Sequence, residues 1–370
     1  MFLRAVLLPF LWTRLLLVSV AWFGAQMSTS GSYPFPEAAR RGWAFLPGAL
    51  DAFGRWDAHW YLDVAARGYE LRGPLPSVQS NVAFFPLYPW AVRLLHALVP
   101  GGEASRYLCA LAVSNAAALA GLWLLWRLAR EVTGDEEAAS RTVRYTLLFP
   151  AGFVLSAPYP EALFLLLSVG SLGAAMKGRA GLAGVLGLLL ALTRPGGVLV
   201  AIPLAWIALE RGGRRLPALA AAALPGLGLA VHAALLWRVT GDPLALFHAQ
   251  AAWGRSLAAP WQTLLHPRDF HAWLGPVEAV SLGLVAALSA GLLWSRGTRA
   301  LGVWGLVSLV PVLLSGTLLS STRFAAVIFP AFLALALLGR RGAVDRAVMI
   351  GFSFAQAVLF LFWTRFFWVA

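Results

Sequence analysis

The feature that most constrains this chain is a series of long apolar runs separated by short connections rich in arginine. A membrane-spanning helix needs roughly 20 apolar residues at about 1.5 Å rise each. Hydrophobic residues make up 60% of the chain and charged residues 12%, against roughly 25% charged in soluble proteins. The sequence therefore predicts an all-α, polytopic transmembrane helical bundle with about 11 spans, near residues 8–27, 107–129, 142–157, 160–176, 180–193, 195–209, 216–238, 277–294, 300–318, 324–338 and 346–364.

The positive charge of the chain indicates its orientation in a membrane. A net charge of +13 would suggest a nucleic-acid partner in a soluble protein. Here the cations gather in short connections, as in cytoplasmic loops, so we predict membrane lipids as partners and no nucleic acid. With the N-terminus in the cytoplasm, the cytoplasmic clusters are 127–144, 177–179, 211–215, 296–299 and 340–346. We expect a multi-pass protein of the cytoplasmic (plasma) membrane, in which Arg14 reaches the cytoplasmic headgroups.

We treat residues 1–370 as a single domain whose long extracytoplasmic first loop, 28–106, carries short helices. Within it, residues 82–99 are apolar enough to be either a span or a surface helix. A span there would invert every later loop and place the basic clusters outside. We therefore predict an amphipathic surface helix, with Arg93 and His96 on one face. The lone Cys109 excludes an intramolecular disulfide.

This layout places the polar motifs of the chain on one side of the membrane. Ionisable groups at the ends of membrane helices are costly and often functional. These motifs come from separate parts of the sequence, so only folding can bring them together. They are Arg55-Trp56-Asp57-Ala58-His59-Trp60-Tyr61, the segment 83–89, the segment 157–161, the segment 193–197, the segment 250–255 and the segment 320–324.

Asp57 is the candidate for acid–base chemistry. It lies among Trp56, Trp60 and Tyr61, and such neighbours would desolvate a carboxylate and raise its basicity. The alternative is an ordinary acid at the start of a helix, stabilised there by capping and by the helix dipole. His59 beside it is a weak signal for a metal, so no metal site is predicted and a divalent ion stays open.

Three arginines are candidates for phosphate binding. Arg194, followed by Pro195, offers a guanidinium beside a helix start, and Arg323 also lies at a break between apolar segments. Arg255 lies with Gln250 in a loop that carries indoles, which suit sugar stacking. The alternatives are arginines that snorkel to lipid headgroups and an interfacial aromatic belt. Glu161 has the alternative of a first-turn acid.

The segment 55–61, with 65–69 and Ala83-Phe84-Phe85-Pro86-Leu87-Tyr88-Pro89, resembles the PIG-V-type mannosyltransferases. That family contains the enzyme that adds the second mannose in GPI-anchor synthesis, together with bacterial relatives. The resemblance continues in order at 156–161, at 193–195 and at Arg323 with 329–330. Pro160 departs from the small polar residue expected there and weakens the inference for Glu161.

The resemblance implies a glycosyltransferase of the GT-C class that uses a polyprenyl-phosphate-linked sugar donor, usually of mannose. It implies a catalytic acid in the first external loop, which corresponds to Asp57, and a lipid or glycan acceptor. Arg194, Arg323 and Arg255 would then hold the donor phosphate, and no cofactor is certain. The expected sugar and acceptor pocket consists of Trp56, His59, Trp60, Tyr61, Phe85, Tyr88, Tyr159, Glu161 and Gln250.

Two other functions fit parts of the pattern. A transporter or flippase of lipid-linked sugars shares the many spans, but it should show two related halves and polar residues near the bilayer midplane. A transferase of another GT-C branch, for aminoarabinose or for protein mannosylation, usually carries paired acids in the first loop. The sequence shows no such pair near Asp57.

Overall fold

The computed structural model describes residues 1–27, 44–211, 215–265 and 274–369, and within these ranges it is helical without β-strands. The predicted all-α class is thereby confirmed. The first part of the predicted loop 28–106, the middle of the cluster 211–215 and part of the connection after residue 238 lie outside the described residues. The helices are α1 (Leu8–Gln26), α2 (Ala58–Arg67), α3 (Leu87–Leu98), α4 (Glu103–Thr133), α5 (Glu136–Leu148), α6 (Glu161–Met176), α7 (Ala180–Ala191), α8 (Ala201–Arg211), α9 (Arg215–Thr240), α10 (Ala245–Ala251), α11 (Pro260–Leu265), α12 (Gly275–Gly291), α13 (Arg299–Val307), α14 (Val310–Leu313), α15 (Ser321–Ala325), α16 (Phe329–Leu338) and α17 (Gly342–Thr364).

Five helical segments among the described residues are long and apolar enough to cross a membrane: Leu3–Gln26, Glu103–Thr133, Arg215–Thr240, Gly275–Trp294 and Gly342–Thr364. Each corresponds to a predicted span. This protein is therefore an integral membrane protein. Most of the other predicted spans correspond to shorter helices, of which Glu161–Met176 and Phe329–Leu338 are mostly buried by neighbouring helices.

The predicted span 142–157 is not one continuous helix. Helix α5 ends at Leu148 because the next residue, Phe149, precedes Pro150 and takes an extended conformation. A short 3₁₀ turn, Gly152–Leu155, follows. The break leaves the chain irregular up to the start of α6, where two of the predicted site residues lie.

Salt bridges join the basic connections at one end of the bundle. Lys177 pairs with Glu131 at 2.8 Å, and Arg340 pairs with Asp135 at 3.1 Å. Asp135 also caps α5, because its carboxylate accepts hydrogen bonds from two main-chain N–H groups of the first turn. These contacts link the C-terminal end of α4 with the loops after α6 and α16. Three of the clusters that the sequence assigned to one side, 127–144, 177–179 and 340–346, are thereby joined at one end of the bundle.

The polar motifs lie at the other end of the same helices. Helix α6 begins at Glu161, in the motif 157–161, and ends at Met176, next to Lys177. Its 16 residues separate the two ends by about 24 Å. The site described below and the basic connections are therefore on opposite ends of the bundle.

The short helices α2 and α3 cover the polar end. Helix α3 has 12 residues, about 18 Å, which is shorter than a hydrocarbon core of about 30 Å. The Arg93 side chain donates to the carbonyl oxygens of Ala65 at 2.8 Å and Val64 at 3.2 Å. Because these carbonyls belong to the last turn of α2, Arg93 stabilises that helix end and ties the two helices together.

Arg14 does not reach the headgroups, and that expectation was wrong. Its guanidinium donates to the hydroxyl of Ser156, which in turn donates to the Asn115 amide oxygen at 2.6 Å. A cation in the middle of a span is costly, so it faces polar groups inside the bundle rather than lipid. The arginine thereby links α1 to the irregular segment before α6.

Close packing of α7 against α9 depends on glycines. A Cβ atom on Gly228 would lie 2.4 Å from the carbonyl oxygen of Leu188, and one on Gly184 would lie 2.3 Å from that of Ala221. Small residues let membrane helices approach to backbone contact, where dispersion forces replace the hydrophobic effect. This pair supports the segment that carries Arg194.

We predict that Gly228→Ala lowers the melting temperature of the purified protein, because the new methyl group must push two backbones apart at a cost of about 1–3 kcal/mol. Gly226→Ala is the matched control on the same helix, since a Cβ there meets nothing within 4 Å. It should be neutral or slightly stabilising. Equal melting temperatures for the two variants would contradict this account of the packing.

Candidate active site

Asp57 lies directly before α2, and the Tyr159 side chain holds the main chain around it. Trp56 adopts a left-handed backbone conformation with φ of 54°. The Tyr159 hydroxyl accepts a hydrogen bond from the Asp57 main-chain N–H at 3.1 Å and donates to the Arg55 carbonyl at 2.8 Å. Asp57 is the N-cap residue, yet its carboxylate makes no capping bond. Its side chain is therefore free to face elsewhere.

The Asp57 carboxylate faces Arg323. Nη1 of Arg323 donates to Oδ2 of Asp57 at 2.8 Å, across 266 positions of sequence. Nε of the same guanidinium is 2.9 Å from Oε1 of Glu161, and Nη2 of Arg194 is also 2.9 Å from that oxygen. The four side chains thus alternate in charge: acid, guanidinium, acid, guanidinium. Each charge is met by an opposite one in a place with little water.

Burial makes this pairing necessary. Glu161 is 0% exposed, Arg323 4% and Arg194 9%. An unpaired charge in such a place costs several kcal/mol, and removal of one partner leaves the other uncompensated. Glu161, Arg194 and Arg323 are predicted site residues, and their pairing therefore also stabilises the fold.

A third guanidinium completes the cationic side of the site. Arg194, Arg255 and Arg323 approach the ring of Phe324, with guanidinium carbons 4.4, 5.6 and 5.4 Å from its centre. Arg255 is held by the Gln250 amide oxygen at 3.2 Å. Burial, with the other two arginines adding to it, lowers the pKa of Arg255 to about 10, so the group is still charged at neutral pH.

A cavity of about 600 Å³ opens beside these charges. Asp57, Arg194, Arg255 and Arg323 all line it, and most of the remaining wall is apolar. The other lining residues are Tyr61, Ala83, Phe84, Phe85, Phe164, Thr193, Pro195, Gly196, Phe247, Gln250, Trp253, Ser256, Leu257, Ser308, Pro311, Val312, Leu314, Ser315, Leu319, Phe324, Val327, Ile328 and Trp368. The cavity wall therefore combines one carboxylate, three guanidinium groups and a mostly apolar surface.

Several members of the predicted pocket lie behind this wall. Trp60 packs against Phe84 and Trp253, with ring centres 5.8 and 5.6 Å away, and so supports two lining residues. Glu161 and Tyr159 lie beneath the arginines. Both hold charged or main-chain groups of the site in place rather than lining the cavity.

Three other predicted pocket residues are not among those that line the cavity. Tyr88 is fully buried in the core, where its hydroxyl bonds the carbonyl of Ala110 and the hydroxyl of Ser114. His59 packs on Phe45 with ring centres 4.4 Å apart. Trp56 packs on Trp368 at 5.0 Å. Trp56 and His59 are thus close to Asp57 in sequence without lining the cavity.

Sequence reasoning missed three residues that the tertiary structure brings in. Phe324 gathers the arginines, and Trp368 lines the cavity from the far end of the chain. Glu278 is buried, and its carboxylate accepts the Ser320 N–H at 2.8 Å, just before the helix that carries Arg323. The sequence did offer a signal for two of them: Phe324 follows Arg323 directly, and Glu278 is an acid inside an apolar run.

The site has few groups that bind transition metals. Within the described ranges no three His, Cys, Asp or Glu side chains lie close enough together to hold a metal ion. The two acids of the site, Asp57 and Glu161, both face Arg323. The chemistry that this geometry offers directly is therefore proton transfer at a carboxylate and stabilisation of an anion by guanidinium groups.

Comparison of the sequence with known proteins identifies the family of this chain. The sequence model of the mannosyltransferase (PIG-V) family matches residues 7–203, over half of the chain. This chain belongs to the mannosyltransferase (PIG-V) family. The resemblance predicted from the sequence is confirmed, and the matched region includes Asp57, Glu161 and Arg194.

Individual relatives agree with that assignment. The chain is 35% identical over 126 residues to GPI mannosyltransferase 2 of Chaetomium globosum, a match that covers 30% of this chain and 25% of that protein. It is 30% identical over 153 residues to GPI alpha-1,6-mannosyltransferase 2 of Cricetulus griseus, covering 38% and 28%. The chain thus spans about a quarter of the length of these relatives.

The fold is similar to that of the Archaeoglobus fulgidus oligosaccharyltransferase in its apo form. The TM-score is 0.51 at 13% identity, and the match covers 97% of this chain and 56% of that one. At such identity the likeness concerns architecture alone. It supports the helical-bundle architecture that the sequence predicted.

We predict that Arg323→Ala destabilises the protein by about 3–5 kcal/mol, because it leaves the buried carboxylates of Asp57 and Glu161 without their shared partner. Thermal unfolding in detergent measures the loss. Arg340→Ala is the control, since its pair with Asp135 is exposed and worth at most about 1 kcal/mol. In a background of Asp57→Asn with Glu161→Gln the cost of Arg323→Ala should shrink; an undiminished cost would contradict the charge argument.

Proposed function

We propose that this protein transfers a hexose, mannose in our reading, from a polyprenyl-phosphate donor to an acceptor hydroxyl at the extracytoplasmic face. The observation that carries the proposal is the convergence of Asp57 with Arg194, Arg255 and Arg323 on one cavity. An acid beside three guanidiniums is what displacement of a phosphate by a hydroxyl requires. Membership in a mannosyltransferase family supports the sugar and the reaction type.

The proposed reaction is a single displacement with inversion. Asp57 takes the proton from the acceptor hydroxyl as the oxygen attacks the anomeric carbon. The bond from that carbon to the phosphate oxygen breaks, and polyprenyl phosphate leaves with the electron pair. Arg323 stabilises the charged carboxylate, which is the form a base needs.

The arginines would act on the leaving group. Negative charge builds on the phosphate oxygens as the bond breaks, and fixed cations in a site with little water stabilise that charge strongly. Arg194 and Arg323 are already held by Glu161, so they need little rearrangement. Arg255 is held by Gln250, whose amide donates to the Ala83 carbonyl at 2.9 Å.

The apolar part of the cavity would take the isoprenoid chain. Pro195, Gly196, Pro311 and Val327 line it next to the arginines. Pro195 and Gly196 belong to the short 3₁₀ helix Pro195–Val200, Pro311 belongs to α14, and Val327 lies in the turn between α15 and α16. A donor with a charged phosphate and an isoprenoid chain matches the arginines and the apolar part of the wall.

We predict that Asp57→Asn lowers transfer by about 10²–10⁴-fold with little change in donor affinity, because the amide cannot accept the proton. The measurement uses purified protein with radiolabelled polyprenyl-phosphate mannose and an alkyl α-mannoside acceptor. Glu210→Gln, at the basic end of the bundle, should leave transfer unchanged. A fully active Asp57→Asn would remove the assignment, and lipid translocation without transfer by the wild type would favour the transporter instead.

Sidedness is open to a separate test with two serines. In a Cys109→Ala background, Ser77→Cys places a thiol in the exposed loop beside the site, and Ser295→Cys places one in the exposed connection after α12. A membrane-impermeant maleimide added to intact cells should label the first and not the second. The reverse pattern would put the site in the cytoplasm.

A further inference from the structure

The segment after the last long helix forms part of the cavity wall. Helix α17 ends at Thr364, and the chain then reverses through Phe366, whose φ is 63°. The N–H of Phe367 returns to the Phe362 carbonyl at 3.0 Å. We call residues 365–369 the C-terminal segment. It lies outside the region that matches the family model.

Several contacts fix this segment against the first loop and α1. The Arg55 guanidinium lies over the ring of Phe366, 4.3 Å from its centre. Arg365 donates to the carbonyl of Met27 at 2.8 Å. Just before it, the Trp363 indole donates to the Ala52 carbonyl at 2.9 Å. The segment is therefore built into the structure around Asp57.

Trp368 brings this segment to the cavity. It lines the cavity together with Asp57, and its ring packs on Trp56, the residue before Asp57, at 5.0 Å and 62°. Its Nε1 is buried and has no hydrogen-bond partner among the described residues. A buried donor without a partner costs about 1–3 kcal/mol, and buried indole N–H groups usually find one.

The position of Trp368 indicates which substrate would satisfy it. The three guanidiniums gather around Phe324, where the phosphate of the donor would lie. Trp368 instead neighbours the loop that presents Asp57, the group that must take a proton from the acceptor. An indole offers an apolar face for the C–H side of a sugar ring and one N–H for a hydroxyl oxygen.

We propose, resting on the function above, that Trp368 binds the acceptor and that the C-terminal segment forms the acceptor side of the active site. The indole N–H donates to an acceptor oxygen, and the ring holds the acceptor with its hydroxyl toward Asp57. The donor and its phosphate do not depend on this contact. The acceptor is thus bound beside the C-terminal segment, and the donor phosphate is bound beside the three arginines of the same cavity.

The test separates acceptor binding from donor cleavage. Wild type, Trp368→Phe and Trp368→Ala are compared for transfer to octyl α-mannoside over a range of acceptor concentrations, for donor KM, and for donor hydrolysis by water without acceptor. Trp368→Phe keeps the ring and loses the N–H, so its acceptor KM should rise about 2- to 10-fold. Trp368→Ala should raise it further, with donor KM and hydrolysis within about twofold of wild type.

Trp294→Ala is the matched control, since that indole is 83% exposed in the connection after α12, and it should leave all three quantities unchanged. An unchanged acceptor KM in both Trp368 variants would overturn the proposal. So would parallel losses of transfer, donor affinity and hydrolysis, which indicate a structural role. Trp368→Phe keeps the test valid even where Trp368→Ala fails to fold. A wild type that neither transfers nor hydrolyses the donor would instead refute the proposed function.

Discussion

A carboxylate removed from water is tolerable only where cations meet it, and Glu161 is met by two. Its 0% exposure and its 2.9 Å contacts to Arg194 and Arg323 make it the centre of the polar end of the bundle. Desolvation penalises each of these charges alone, so the three must fold together. Because Arg323 also holds Asp57, the structural ion pairs and the reactive acid form one network.

This network explains why the site has so little freedom. Tyr159 fixes the main chain around Asp57 with two hydrogen bonds, and Glu278 holds the turn before the helix of Arg323. Groups that are held before the substrate arrives need little reorganisation during the reaction, which is where preorganised electrostatics gain their effect. Asp57 and Glu161 are 104 positions apart in sequence, and Arg323 joins them in the structure.

The two ends of the bundle illustrate different physical demands. At the basic end, exposed pairs such as Lys177 with Glu131 contribute little stability and chiefly mark the orientation of the helices. At the polar end, charges are buried, and each has a defined partner. The short helices Pro195–Val200, Val310–Leu313 and Ser321–Ala325 belong to this second end. The breaks between these short helices lie beside the cavity, where continuous helices would bring no irregular main chain.

The sequence by itself predicted the helical class, spans that include the five long helices, the family, and Asp57, Arg194, Arg255 and Arg323 as site residues on one side of the bundle. These follow from apolar length, from cation placement and from motifs, all of which are local signals. Only the tertiary structure decided that Tyr88 and His59 do not line the cavity, that the three guanidinium groups lie near Phe324, and that Trp368 is part of the wall. Side-chain direction and contacts across hundreds of residues depend on how helices pack, and no local pattern records that packing.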